Sequence, residues 1–412
     1  MAREWIDTTI GEQVVLQRGI DITKPEQRSG TVPVISSGGV SSYHDTPAAS
    51  GPGVILGRKG VVGSVYFVAS DYWPHDTTLW VKDFRGNDRR FVYYFFKWMA
   101  PRIAMMDVGS ANPTLNRNHV HPIEIRWPPV PEQRAIARIL GTLDDRIELN
   151  RRMNETQEGI ARALFKSWFV DFDPVRAKAE GRETGLAPEI DALFPDGFED
   201  SELGEIPRGW KIATIGELAE VIGGSTPSTK EPAYWDGGIY HWVTPKDLSG
   251  LSAPVLLDTE RRITEAGLSQ IGSGLLPKGT VLLSSRAPVG YLAVAEIPVA
   301  INQGFIAMKP KNGVSNLYLM IWASAAHEEI ISRANGSTFL EISKSNFRPI
   351  PLCAPPSAVM QVFDEQARPL FERIVACERA SRTLAAIRDA LLPKLMSGEL
   401  RVQEAERLVG AV

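Results

Sequence analysis

An α+β fold built twice is what this 412-residue sequence predicts. Three observations carry that expectation. The chain repeats itself at a constant offset, each copy opens on short apolar runs punctuated by Gly and Pro, and each copy closes on a long segment with helical spacing. Gly109-Ser110, Pro122-Ile123 and Pro128-Pro129 recur as Gly336-Ser337, Pro349-Ile350 and Pro355-Pro356, always 227 positions later. The same offset carries Val54-Ile55-Leu56 onto Val281-Leu282-Leu283, Gly63 onto Gly290 and Ala163-Leu164 onto Ala390-Leu391. Near the N-terminus, Trp5 and Thr9-Ile10-Gly11-Glu12 match Trp210 and Thr214-Ile215-Gly216-Glu217 at an offset of 205. The second copy therefore holds 22 extra residues, expected around Ser225 to Arg262.

The elements follow in order. The first domain, 1–130, contains Gly53-Val54-Ile55-Leu56 and Val65-Tyr66-Phe67-Val68, apolar runs bounded by turn residues that read as strands. Arg90 to Ala100 reads as a helix, as does Leu317 to Ala334 in the second domain, 209–356. Trp73, Trp80, Trp235 and Trp242 are assigned to the core. Over 131–172, Ile136, Leu140, Leu143, Ile147, Ala161, Leu164 and Trp168 keep the 3–4 spacing of a helix, with Pro131 in its first turn, where proline is tolerated. Over 357–400, Phe363, Leu370, Ile374, Leu384, Leu391 and Leu395 keep the same frame. About forty residues at 1.5 Å rise span roughly 60 Å, too long for one small domain, so each helix needs a partner and its own repeat supplies one. Pro369 is expected to kink the second helix or delay its start. Asn150, Asn154 and Gln157 make the seam polar, a means of fixing register. The segment 173–208 reads as a polar connector, and 401–412 as a tail.

Composition narrows the function. The formal net charge is −4, and two cysteines, Cys353 and Cys377, exclude a disulfide framework and favour a reducing, cytoplasmic setting. No leader and no apolar run of membrane-spanning length is seen, so a membrane partner is not expected. The excess acid sits in 131–205, at −7, while the two globular parts are mildly basic. A DNA partner must therefore be argued locally. Catalytic motifs are missing. Gly51 to Gly60 lacks the Gly-Lys-Ser/Thr of a phosphate-binding loop. His327-Glu328-Glu329 lacks a second histidine, and the six His and two Cys have no metal-ligand spacing. Asn112-Pro113-Thr114-Leu115 lacks the second proline and aromatic of an amino-methyltransferase loop. No metal, cofactor or catalytic residue is expected in this chain.

Local text then carries a resemblance. Pro128-Pro129-Val130-Pro131-Glu132-Gln133-Arg134-Ala135-Ile136-Ala137, Phe165-Lys166-Ser167-Trp168-Phe169-Val170-Asp171-Phe172-Asp173-Pro174 and Leu203-Gly204-Glu205-Ile206-Pro207, with the duplicated architecture, resemble the specificity subunits of type I restriction-modification enzymes. The second junction departs from that pattern, with Ser357-Ala358-Val359-Met360-Gln361 in place of Pro-Glu-Gln-Arg. The resemblance implies two target recognition domains, one per half of a bipartite, asymmetric DNA site, separated by two long helices that form an antiparallel coiled coil and act as a spacer. It further implies a chain without catalysis of its own. Two modification (methyltransferase) subunits would methylate adenine with S-adenosylmethionine, and restriction (translocase/nuclease) subunits would use ATP and Mg²⁺. The alternatives are a stand-alone nuclease or methyltransferase acting on DNA, and a helical scaffold that binds proteins only.

Candidate DNA contacts are polar loop residues that the repeat places equivalently. Gly57-Arg58-Lys59-Gly60 matches Ser284-Ser285-Arg286-Ala287, so each copy puts a cation on a tight turn that can take a phosphate or a guanine edge. Ser110, Asn112, Asn116, Arg117 and Asn118 in one copy face Ser337, Ser343, Lys344 and Asn346 in the other. Tyr43, His44, Lys230 and Lys246 complete the set.

Overall fold

The computed structural model describes residues 5–106, 114–286, 288–336 and 340–410. They form two compact units, one of 1–147 with 382–412 and one of 148–381. In the first unit an antiparallel sheet runs in the order Val15–Arg18, Thr78–Asp83, Gly53–Gly57, Val65–Val68. A smaller sheet sets Val32–Ser36 between Gly39–His44 and Trp73–Pro74. Val54, Leu56, Leu79 and Val81 face the helix Arg89–Ala104, which buries Phe91, Val92, Phe95, Phe96 and Met99 in the same core. That helix starts where the Asp88 carboxylate accepts the Phe91 N–H, an ordinary N-cap.

The second unit repeats the plan. Ala219–Gly223, Phe305–Pro310, Val281–Ser285 and Val289–Ala295 take the same order, and Tyr240–Val243 lies between Arg261–Ile263 and Val299–Ile301. The strand Val255–Leu256, parallel to Val289–Ala295, and the helix Pro245–Ser249 fall inside the span where the extra residues were expected. Repeat-equivalent strands Ile6–Thr9 with Glu124–Trp127 and Lys211–Thr214 with Pro351–Ala354 tie each domain's entry to its exit. Each entry ends in a capping box, Thr9 with Glu12 and Thr214 with Glu217. The stretch expected as one helix over Leu317 to Ala334 is two, Asn316–Ala325 and His327–Ser332.

The long helices are Val130–Phe169 and Ser357–Ser397, and they pair antiparallel. In the first unit Ile136, Leu140 and Leu143 share a core with Leu384, Leu391 and Leu395. In the second, Phe165, Trp168 and Phe169 share a core with Phe363, Ala367, Phe371 and Ile374. Numbers on one helix rise as those on the other fall, from the Asp144–Arg388 ion pair to the Phe165–Phe363 ring contact. Ile147, Leu164 and Leu370 are only partly buried, and burial passes to Phe165 and Phe371, one residue along. An α-helix turns every 3.6 residues, so a strict 3.5-residue stripe drifts around it. The polar seam is engaged: Asn150 donates to Ser381 Oγ at 3.1 Å, and Asn154, buried, donates to Glu378 at 2.7 Å.

The delayed start expected of the second helix and the reading of 173–208 as a bare polar connector need correction. The second helix begins at Ser357, directly after Pro356, and continues through Pro369. Proline removes one backbone bond there, yet Ala367, Phe371 and Ile374 are buried around it, and that burial holds the helix. The segment 173–208 is also not a loose connector. It forms the helix Asp173–Ala179 and the hairpin Phe198–Ser201/Gly204–Pro207, and it buries Val175 and Phe194 in the second unit's core. Its polar composition hid those few apolar anchors. Of the four tryptophans assigned to the core, Trp242 is buried and Trp73, Trp80 and Trp235 are half-buried. Cys353 and Cys377 are free thiols, and burial pushes the Cys353 thiol up to about 12. Among the described residues no helix is long and apolar enough to cross a membrane.

Candidate functional site

In the first unit, chain ends of three elements converge on one cleft lined by Gln17, Arg18, Arg58, Leu79, Asn116 and Arg117. Arg18 ends the edge strand, and Arg58 follows the strand Gly53–Gly57. Arg117 opens the short helix Arg117–Val120. Each guanidinium is steered by an oxygen. Arg18 pairs with Asp76 at 2.8 Å, Arg58 donates to the Asp76 carbonyl at 3.4 Å, and Arg117 donates to the Leu16 carbonyl at 3.4 Å. Burial, then the neighbouring Arg18, lowers the pKa of Arg58 from its ordinary value. Crowded cations on a concave surface are relieved by an anion, and guanidinium forks suit phosphate and the guanine edge. Close by, burial and Arg117 hold the His121 imidazole below its ordinary pKa, and the Leu16 N–H donates to its Nε2 at 3.0 Å.

The second unit rebuilds the same backbone frame. Leu115 N–H donates to the Arg58 carbonyl at 2.9 Å, and its equivalent Ile342 donates to the Ser285 carbonyl at 3.0 Å. Isolated bridges join Lys59 to Thr114 and Arg286 to Glu341, again equivalent positions. Arg286 thus matches Lys59, while the counterpart of Arg58 is Ser285, which is buried. The isolated bridges therefore keep the register in which Gly57-Arg58-Lys59-Gly60 matches Ser284-Ser285-Arg286-Ala287. Lys344 opens the short helix Lys344–Phe347, as Arg117 opens its own, and is exposed.

The other candidates divide by what their side chains touch. Lys59, Asn118 and Tyr43 are exposed, Tyr43 on the small sheet. Asn116 and Ser343 accept backbone N–H groups as helix N-caps. Lys230 is exposed in a turn, and Lys246 is exposed but pairs with Glu260 at 2.7 Å. Two candidates bond to the protein's own backbone. His44 is 3% exposed, accepts the Arg28 N–H at 2.9 Å and meets the Trp73 ring edge-on, which leaves no edge for a ligand. Asn346, half-buried, donates to the Arg333 carbonyl at 3.1 Å. Ser110, Asn112 and Ser337 lie outside the described residues. Sequence reasoning missed Gln17, Arg18 and Glu341. The first two sit at the end of an apolar run, where they read as ordinary strand-end residues, whereas Glu341 was reachable by adding the repeat offset to Thr114. Missed too is Arg261, whose guanidinium lies 3.6 Å from the Trp235 ring centroid.

Among the described residues, Asp21, His75 and Asp76 form one group whose ligand-type atoms lie within 4.8 Å of one another. Asp76 is already engaged by Arg18, so the group is read as part of the cleft's charge balance.

Comparison with known proteins places these features in a context. Residues 3–158 and 207–363 each match the model of the type I restriction modification DNA specificity domain. A type I restriction enzyme MjaIX specificity subunit from Methanocaldococcus jannaschii is 40% identical over 160 residues, covering 38% of this chain and 37% of the relative. The HindI specificity subunit of Haemophilus influenzae is 28% identical over 332 residues, covering 70% of this chain and 71% of that one. The match thus spans little more than a third of the first relative and over two thirds of the second. A crystal structure of a type I restriction-modification S subunit from M. genitalium aligns over 95% of this chain and 96% of its own, with a TM-score of 0.58 at 18% identity. At that identity the likeness is one of fold.

Proposed function

Since the chain belongs to the type I restriction-modification DNA specificity family, we propose that it is the non-catalytic reader of a bipartite, asymmetric site on double-stranded DNA, one domain per half-site. The observation that carries this is the pair of loop frames at repeat-equivalent places, Arg58-Lys59 against Thr114-Leu115 and Ser285-Arg286 against Glu341-Ile342. Cations beside such loops take phosphates and fix register, while side chains on base edges choose the sequence. The paired helices, each running from one unit into the other, suit the role of spacer. Two modification subunits would supply S-adenosylmethionine chemistry on adenine, and restriction subunits would supply ATP- and Mg²⁺-dependent translocation and cleavage, in the cytoplasm. The family premise displaces the readings as a stand-alone enzyme or a protein-only scaffold.

The test is methylation of DNA by the chain mixed with its modification subunits, set against the chain alone. Adenine methylation at a defined two-part sequence is expected only in the mixture, and methyl transfer by the pure chain would sink the proposal. Within that assay, Arg58→Ala is expected to weaken or relax one half-site only, and Arg286→Ala the other. Each loss is about 1–3 kcal/mol if a bidentate base contact is removed. Equal damage to both half-sites by either change would mean that the domains do not read separately.

A further inference from the structure

The two loop frames agree in backbone and disagree in charge, and the disagreement is informative. In the first unit Arg18, Arg58 and Arg117 surround the cleft and a neutral Thr114 stands on the bridge to Lys59. In the second unit the positions of Arg18 and Arg58 are taken by Gly223 and Ser285, and Glu341 stands where Thr114 does. Its carboxylate lies 3.5 Å from the Arg286 guanidinium, with the two side chains 48% and 37% exposed.

A pair that open to water stabilises a fold by about 0–1 kcal/mol at most, so folding alone does not account for a carboxylate at this place. The backbone beneath it is nonetheless held firmly. Glu341 and Asn335 exchange backbone bonds of 2.8 and 2.9 Å, and the next residue, Ile342, is buried and bonded to Ser285. The carboxylate is therefore presented from a fixed main chain. Against the phosphate backbone a carboxylate is repelled, and the partner that suits it on DNA is an exocyclic amine in the major groove, as in Glu accepting from cytosine N4.

We propose that Glu341 is a specificity-determining residue of the second domain, accepting a hydrogen bond from the amine of a cytosine or adenine while Arg286 holds it in place. This inference rests on the reading of each domain as a half-site reader. By the same logic the first domain, with three guanidiniums and no carboxylate at that position, takes guanine and phosphate at the equivalent place.

The test uses the full chain assembled with its modification subunits, carrying Glu341→Gln or Glu341→Thr, and two readouts. Mapping of methylated adenines is expected to show about tenfold lower discrimination at one base position of one half-site, which corresponds to about 1.4 kcal/mol, with the other half-site unchanged. Release of Arg286 onto a phosphate is expected to steepen the slope of log affinity against log salt by about 0.9, a change that a merely structural role would not produce. Because a variant at Glu341 could misfold, Thr114→Glu supplies an independent arm, expected to shift base preference at one position of the first half-site. An unchanged sequence preference and salt slope in both Glu341 variants, or changes spread over both half-sites, would overturn the proposal. A wild-type complex that methylates no defined sequence would instead remove the half-site reading beneath it.

Discussion

Phe363→Ala is expected to destabilise the unit 148–381 by about 3–5 kcal/mol. Phe363 is fully buried, with the rings of Phe165, Trp168, Phe169 and Tyr318 between 5.1 and 6.4 Å away. Truncation forfeits the burial of a large apolar group and the edge-to-face contacts that accompany it. It also leaves a void that cannot close readily, because three of the neighbouring rings stand on the long helix Val130–Phe169, held at many other points, and Tyr318 is itself fully packed in the same core. Phe363→Leu should cost less, since most of the volume stays. Hydrogen exchange of amides within the unit, compared between wild type and variant, reads the loss without requiring both units to unfold together. A change below about 1 kcal/mol would mean that Phe363 is not central to that core.

The second large effect is expected at the opposite end of the helix pair. Asp144→Ala should cost the first unit about 2–3 kcal/mol. One carboxylate oxygen accepts from Arg388 at 2.6 Å and the other from the Tyr94 hydroxyl at 2.6 Å. The Arg388 and Asp144 side chains are only 15% and 21% exposed. Desolvation alone would lower the pKa of Arg388, and the bonds to Asp144 and Asp389 reverse that. Burial, then Asp144, raises the pKa of Tyr94. Without Asp144 a mostly covered guanidinium keeps, among the described residues, only Asp389 as an ion-pair partner, and a buried hydroxyl loses its acceptor. In the double variant with Arg388→Met the orphaned charge is gone, so part of the loss should return. Strictly additive losses in that double-mutant cycle would show that the two groups do not act as a pair.

These residues mark where the chain was readable in one dimension. Asp144 and Arg388 each lie within one of the two stretches of helical spacing, but nothing in either stretch joined them. Two positions 244 residues apart meet because the helices run antiparallel, and periodicity carries no direction. The connector was misread for a related reason. Its polar majority faces solvent, and its few apolar residues, Val175 and Phe194, are too sparse to form a pattern yet sufficient to anchor it. The reading loops were located but not sorted. His44 and Asn346 have the composition of contact residues, and only the fold shows that His44 is buried and that Asn346, half-buried, spends a bond on the Arg333 carbonyl.

By itself the sequence determined the duplication, the place of the insertion, the two long helices and the loops that face each other across the repeat. All of these follow from local periodicity, turn chemistry and a constant offset, which a linear chain records. The tertiary structure decided which residues meet across the antiparallel helix pair, the burial that passes from Leu164 to Phe165, and the gathering of Arg18, Arg58 and Arg117 into one cleft. Those depend on which surfaces can be buried against each other at once. That is a property of residues far apart in the chain and close in space, and no window along the sequence contains it.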